Sequence, residues 1–264
     1  MANTRLIAAL TGCSGRSMPD PTLFEKALSV NVYTANQEIR EQLLSCAGIV
    51  ISAEQIPGPV KQAFYQLTVE QIEAQKKATP NDARIYVLGG MFVNSIVGSG
   101  MGKITDAISL FEKANELSPN KQSIILPLAI DYINSDKQDK ALAILKKAYE
   151  SATNNDKVKS TYAMALVIAG KEVEAQEIFS DDPAFFQSEQ MAELYASLKQ
   201  YSKSISIFKN LIKDNPKDVN LQAKLAQIQY LSGDKWTATE TLRAITKENP
   251  DLKDQVEAAI KNMK

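Results

Sequence analysis

The chain has 264 residues, 30 of them lysine or arginine and 31 aspartate or glutamate, for a net charge of −1. That balance gives no strong electrostatic drive toward polyanions, so neither a nucleic acid backbone nor an anionic membrane is an expected main partner. Histidine is absent, which removes the usual neutral-pH general base and the commonest metal ligand, and no cofactor is expected.

The N-terminus carries Arg5 and a short apolar stretch, Leu6 to Leu10, that runs into Thr11-Gly12-Cys13. Leu10-Thr11-Gly12-Cys13 resembles a lipobox, the processing site of bacterial lipoproteins. The apolar stretch is five residues long, shorter than the roughly 7 to 15 of a signal-sequence core. The first reading is therefore an amphipathic helix from Thr4 to Leu10, with lipid anchoring through Cys13 as the alternative. No run approaches the roughly 18 to 20 apolar residues that span a bilayer, the longest comparable segment being Ala47 to Ala53. The chain reads as soluble as it stands, with any membrane association indirect. Cys13 and Cys46 lie 33 residues apart, too sparse for a disulfide framework and without the spacing of a zinc site.

Asp20-Pro21 opens a helix with apolar Leu23, Phe24, Ala27 and Leu28, and Thr34 with Gln37 forms a capping-box signature for the next one. That helix places Ile39, Leu43, Cys46, Ala47 and Val50 on one face, which makes Cys46 a buried small hydrophobe. A long helix from Pro59 to about Lys77 follows, with Val60, Phe64, Leu67 and Ile72 as its inner face. Residues 1–81 thus read as irregular helical hairpins.

From Asp82 onward one pattern recurs. In 82–121, Leu88, Gly89 and Phe92 precede Ala107, Phe111, Ala114 and Pro119, with six extra residues between the two sets. The extra length falls in Val93 to Thr105, where Gly98, Gly100 and Gly102 predict an enlarged, flexible inter-helix loop. In 122–155 the pattern is Leu128, Ala129, Tyr132, Ala141, Leu145 and Ala148. In 156–184 it is Tyr162, Ala163, Leu166, Gly170, Ala175 and Phe179, cut about five residues short at Asp181-Asp182-Pro183. In 185–218 it is Ala192, Tyr195, Ser204, Phe208, Leu211 and Pro216. It is clearest in 219–252, where Leu225, Ala226, Gly233, Ala238, Leu242, Ile245 and Pro250 fall at positions 7, 8, 15, 20, 24, 27 and 32. Small residues at 8 and 20 let two helices approach closely, larger ones at 24 and 27 fill the gap to the neighbour, and Pro at 32 stops the second helix. Residues 251–264 then supply a lysine-bearing cap helix, Leu252 to Met263.

This spacing resembles the 34-residue tetratricopeptide repeat. The resemblance implies an all-α, right-handed α-solenoid of helix-turn-helix units and a non-catalytic role in holding a protein or peptide. In such arrays positions 2, 5, 9 and 12 of the first helix face a concave groove. Here those positions are Tyr86 and Val93, then Leu126, Ile130 and Ile133, then Ser160, Met164 and Val167. They form an apolar strip suited to an apolar helix or segment. The alternative is that the enlarged loop or the N-terminal hairpins fold across and bury it. Toward the C-terminus the same positions turn polar, with Glu189, Glu193, Asn220, Gln227 and Tyr230. Leu126 and Ile130 stand where a carboxylate-clamping relative needs polar groups.

No constellation supports catalysis. Gly98 to Thr105 looks like a phosphate loop, but Ile104 stands where Ser or Thr would bind magnesium, and the segment follows a helix. Asp181-Asp182, the Glu189/Glu193 pair and Lys146-Lys147 read as solvated turn or helix surface.

A longer stretch has a second resemblance. Phe24-Glu25-Lys26-Ala27-Leu28-Ser29, Gln37 to Leu43, Pro80-Asn81-Asp82-Ala83-Arg84 and Glu116 to Gln122 resemble the C-terminal region of bacterial O-antigen ligase or polymerase-like membrane proteins. In that family the glycan transfer belongs to a membrane domain and the repeat tail is accessory. The resemblance implies a place beside a cell-envelope glycan assembly system, without the transfer activity itself.

Overall fold

A computed structural model of the chain describes residues 2–30, 33–151 and 155–262. Among them the fold is all-α. The chain divides into two compact units, residues 1–161 and 162–264.

The first unit opens with α1 (Ala2–Cys13), α2 (Thr22–Leu28), α3 (Tyr33–Ser52) and α4 (Gly58–Ala78). α1 packs on both α2 and α3, and α3 packs on α4. Phe24 of α2 and Phe64 of α4, both fully buried, meet edge to face at 6.2 Å. The side chain of Thr34, half of the expected capping box, lies outside the described residues. The unit continues with α5 (Ala83–Ile96), α6 (Ile104–Leu117), α7 (Gln122–Asn134) and α8 (Gln138–Ser151). Each second helix is packed against the first of its own hairpin, and α6 also against α7.

The spacing rule holds atom by atom. Ala129, Ala163, Ala192 and Ala226 at position 8 are each 0% exposed, as are Ala107, Ala141, Ala175, Ser204 and Ala238 at position 20. Of the bulky residues at position 24, Phe111, Leu145 and Phe208 are also at 0%, with Leu242 at 5% and Phe179 at 7%. Truncating one of these phenylalanines to alanine costs about 3–5 kcal/mol by the usual cavity penalty.

The first of these hairpins is shifted by one residue from the register read in the sequence. Asp82 lies outside α5 as its N-cap and accepts from Arg84 N, just as Asp218 caps its own helix by accepting from Asn220 N. Ala83 is therefore position 1 and Gly90, not Gly89, is position 8. A Cβ on Gly90 would lie 2.7 to 2.9 Å from three ring carbons of Phe111, so the ring occupies the space an alanine methyl would need. The insertion is accordingly five residues, not six.

That insertion, expected as an enlarged, flexible loop, includes a short helical turn. Val97–Ser99 forms a 3₁₀ turn, Gly100 follows in the left-handed region at φ 76°, and Gly102 packs back on α5 so closely that a Cβ would stand 2.7 Å from the Val93 carbonyl oxygen.

The second unit takes most of α9 (Asp156–Ile168), then α10 (Glu172–Ile178), α11 (Glu189–Ser197), α12 (Tyr201–Asp214), α13 (Val219–Leu231), α14 (Lys235–Glu248) and the cap helix α15 (Lys253–Asn262). Met263, expected at the end of the cap, lies outside the described residues. α10 is only seven residues. The lost turn is replaced by aromatic packing: Phe179 stacks on Phe185 at 3.9 Å, and Phe186 meets Phe185 edge-on at 5.4 Å. α15 buries Val256 against Ala226, Leu242 and Ile245 and closes the end of the unit.

Four turns end the first helix in the same way. Asp136, Gly170, Lys199 and Gly233, all at position 15, have φ of 55°, 76°, 59° and 95°. In each, the next residue's N–H bonds five residues back: Lys137 to Tyr132 O, Lys171 to Leu166 O, Gln200 to Tyr195 O and Asp234 to Gln229 O. This is the Schellman arrangement, which satisfies carbonyls that the helix end leaves free.

Candidate functional site

The seven side chains expected to line one apolar groove are not equivalent. On α5, Tyr86 is 8% exposed. Its hydroxyl donates to the Pro80 carbonyl at 3.2 Å, and Lys76 of α4 lies over its ring at 5.8 Å. Val93 is partly buried and lines a different cavity, about 300 Å³, between α4, α5 and α6 with Tyr65, Ile72, Met101 and Leu110. Tyr86 thus meets α4 and Val93 the cavity between α4, α5 and α6, a one-residue register shift having turned each about 100° from the direction read in the sequence. On α7, Ile130 is 49% exposed, with Leu126 and Ile133 partly buried on either side. In the second unit Met164 is partly buried, its sulfur 3.1 Å from the Gln190 amide nitrogen, and Val167 is 3% exposed. Tyr86 and Val167 are therefore packing residues and not contact surface.

Two apolar residues that the sequence reading did not single out are well exposed instead, Met91 and Ile49. Once the register is corrected, Met91 is position 9 of its helix, the equivalent of Ile130, and it is 46% exposed. Ile49 of α3 is 56% exposed. A cavity of about 410 Å³ lies between α3 and α5, with Ile49, Met91, Leu44, Leu88 and Phe92 in its apolar wall and Ser45, Ser52 and Ser95 on its rim. The Ser52 hydroxyl donates to the Ser95 carbonyl at 2.8 Å and holds the two helices together there. Gly48 permits the close approach, since a Cβ on it would fall 2.5 Å from Ser95 Oγ. Glu41 also lines the cavity and pairs with Arg84 at 2.7 Å.

α5 and α7 are joined by a buried polar contact. The Asn94 amide donates to both Asp131 carboxylate oxygens at 2.8 and 3.0 Å, and Asp131 is 3% exposed. Burial raises the Asp131 carboxyl above its ordinary range, with the Asn94 hydrogen bond opposing. α3, α5 and α7, the first helices of three successive hairpins, thus each present one large exposed apolar side chain.

Part of the polar face of the second unit is paired internally. Lys224 on α13 reaches Glu189 at 2.5 Å and also pairs with Glu193, both on α11. These bonds, with that to Glu189 the largest influence, raise the lysine above its ordinary range. Asn220 and Gln227 are exposed, and Lys235 lies over the Tyr230 ring at 5.4 Å.

Neither cysteine has the form read in the sequence. Cys13, at the end of α1, and Cys46, in α3, are joined as a disulfide across a Cα separation of 5.3 Å. The sequence could not show the pairing because it depends on α1 lying along α3. Cys46 is nevertheless buried, at 2% exposed.

The family model for the tetratricopeptide repeat matches residues 190–218. No curated protein matches the chain. Solved structures similar to it include TTC0263, a thermophilic TPR protein of Thermus thermophilus, at 18% identity over 86% of this chain and 98% of that one, with a TM-score of 0.42. YrrB, a TPR protein described as having an unusual peptide-binding site, is 16% identical over 71% of this chain and 97% of its own, with a TM-score of 0.37. The human IFIT1 dimer with m7Gppp-AAAA is 14% identical over 99% of this chain and 64% of that one, with a TM-score of 0.45. The α11–α12 hairpin is thus a tetratricopeptide repeat by sequence, and the hairpins around it reproduce its packing.

Proposed function

We propose that the chain is a non-catalytic protein-interaction scaffold whose first unit takes an apolar helix or extended segment on the face formed by α3, α5 and α7. The observation that supports this is the exposure of Ile49, Met91 and Ile130, at 56%, 46% and 49%, on three successive first helices, two of them beside a cavity of about 410 Å³. Exposed apolar side chains grouped in this way are what a partner's apolar face buries. The reading is tested by selecting binders from a displayed peptide library on the whole chain, then repeating the selection with Ile49→Asp plus Met91→Asp after matching their helicity. Loss of apolar binders with the double variant is the expected result. Retention of the same binders sinks the proposal.

In the cell we place this scaffold beside an envelope glycan assembly system, a setting that rests on the resemblance to O-antigen ligase-like proteins. Among the described residues no helix is long and apolar enough to cross a membrane, so the membrane link would run through a partner or a further domain. A disulfide favours an oxidising compartment, which agrees with an envelope setting. A lipid anchor at Cys13, the alternative reading, needs that sulfur for a thioether and is incompatible with the Cys13–Cys46 bond. Intact mass after expression with the native N-terminus separates the two states.

A further inference from the structure

We propose that the Cys13–Cys46 disulfide is a redox latch that keeps α1 on α3, and that its reduction releases α1 while the hairpins from α3 onward remain folded. The inference concerns the N-terminal helix and stands apart from the reading of the α3, α5 and α7 face.

The hold of α1 on the rest of the unit is slight without the bond. Of its larger apolar side chains Leu6 is buried, at 7% exposed, beside the small Ala9 at 1%, and Leu10 packs on the core partly buried, while Ile7 is 66% exposed. Its polar ties to the end of α2 are exposed, Arg5 donating to the Lys26 carbonyl at 2.8 Å and to the Ser29 hydroxyl at 3.5 Å. α2 differs, because Phe24 is 0% exposed and packed against Phe64 of α4. The core beneath α1 therefore has its own support. A helix of α1's length does not persist alone in water, so losing its covalent cross-link to α3 favours release and melting.

Access to the bond is asymmetric. Cys13 is partly exposed at the helix end, whereas Cys46 is 2% exposed under α1. A dithiol reductant attacks Cys13 Sγ through one thiolate. The S–S bond breaks, Cys46 leaves as a thiolate and takes a proton, and a mixed disulfide forms at Cys13. The reductant's second thiol, as thiolate, then displaces Cys13, which is protonated in turn. Two electrons and two protons pass to the protein and the reductant becomes a disulfide. Cys13 and Cys46 are the chain's two cysteines, so reoxidation within one chain restores the same pair.

The test uses the full chain, oxidised and then reduced with dithiothreitol, followed by amide hydrogen exchange and by timed alkylation with iodoacetamide. On reduction the amides of Leu6 to Cys13 are expected to exchange at least about tenfold faster while those of α5 to α8 stay unchanged. Cys46 is then expected to alkylate nearly as fast as Cys13. Cys13→Ser should reproduce the reduced exchange pattern without any reductant. Unchanged α1 protection with slow alkylation of Cys46 would overturn the latch, showing that α1 docks by packing alone. Loss of protection throughout α3 to α8 would also overturn it, as would two free thiols in the unreduced protein.

Discussion

The Tyr195 hydroxyl donates to Glu172 Oε1 at 2.6 Å while Lys203 holds Oε2 at 2.5 Å and lies 4.9 Å above the tyrosine ring. In the first unit Tyr132, Glu112 and Lys140 repeat the arrangement, with hydroxyl to carboxylate at 2.5 Å and the lysine 5.3 Å from the ring. In both cases tyrosine at position 11 and lysine at position 19 of one hairpin grip a carboxylate from the second helix of the hairpin before it. Removing one hydroxyl leaves a part-buried carboxylate short of a partner. Tyr195→Phe and Tyr132→Phe are each expected to destabilise by roughly 1–2 kcal/mol, read as a lower urea midpoint with an unchanged slope.

The same contacts give stability a pH dependence. Glu112 is held below the ordinary glutamate value of about 4.5, first by the Tyr132 hydrogen bond and then by Lys140, against an opposing effect of burial. For Glu172 burial is the largest influence and raises the value, but Lys203 and Tyr195 together bring it below the ordinary one. A depressed folded-state value means that the stabilisation is complete above the ordinary value and is lost as pH falls through the folded one. Urea midpoints measured from pH 6 downward should therefore drop below about pH 4.5, and the drop should be shallower in Tyr132→Phe. Equal slopes in the two proteins would show that Glu112 does not contribute.

Adjacent glycines distinguish the two registers of the α5 hairpin. Gly90→Ala drives a methyl into the Phe111 ring and is expected to cost about 1–3 kcal/mol. Gly89→Ala meets Leu110 Cδ1 at 3.4 Å, an ordinary contact, and should gain up to about 1 kcal/mol from helix propensity. The reverse order of stabilities would restore Gly89 as the close-packed position.

Position 20 offers a stabilising change. Ser204 is 0% exposed and its hydroxyl has no hydrogen-bond partner, whereas the other hairpins carry a fully buried alanine there. Ser204→Ala should raise stability by about 1 kcal/mol by removing an unpaired buried polar group. A loss of stability would reveal a partner for that hydroxyl.

The four left-handed turns make a final comparison. Gly170→Ala and Gly233→Ala place a Cβ at φ 76° and 95° and are each expected to cost about 1–2 kcal/mol. Lys199→Gly relieves that strain at φ 59° and should be neutral or stabilising by up to about 1 kcal/mol, since the added freedom of the unfolded chain offsets part of the gain. Thermal midpoints of the three variants, measured together, check the order.

What the sequence determined by itself is the hairpin spacing. Helix period and side-chain volume are local properties, so Ala129 with Ala141 and Leu145, or Ala226 with Ala238 and Leu242, announce two helices in close contact before any fold is known. Gly90 shows where that reasoning stops, because beside Gly89 spacing alone offers two equal registers, and the structure separates them through the Asp82 cap and the position of the Phe111 ring. One residue of slip then turned Tyr86 and Val93 onto the face that ought to have held Met91, and Ile49 lay in a helix with no repeat signature to count from. The disulfide belongs wholly to the tertiary structure: Cys13 and Cys46 are far apart along the chain, and they bond because packing lays the end of α1 against the middle of α3 with the two Cα atoms 5.3 Å apart.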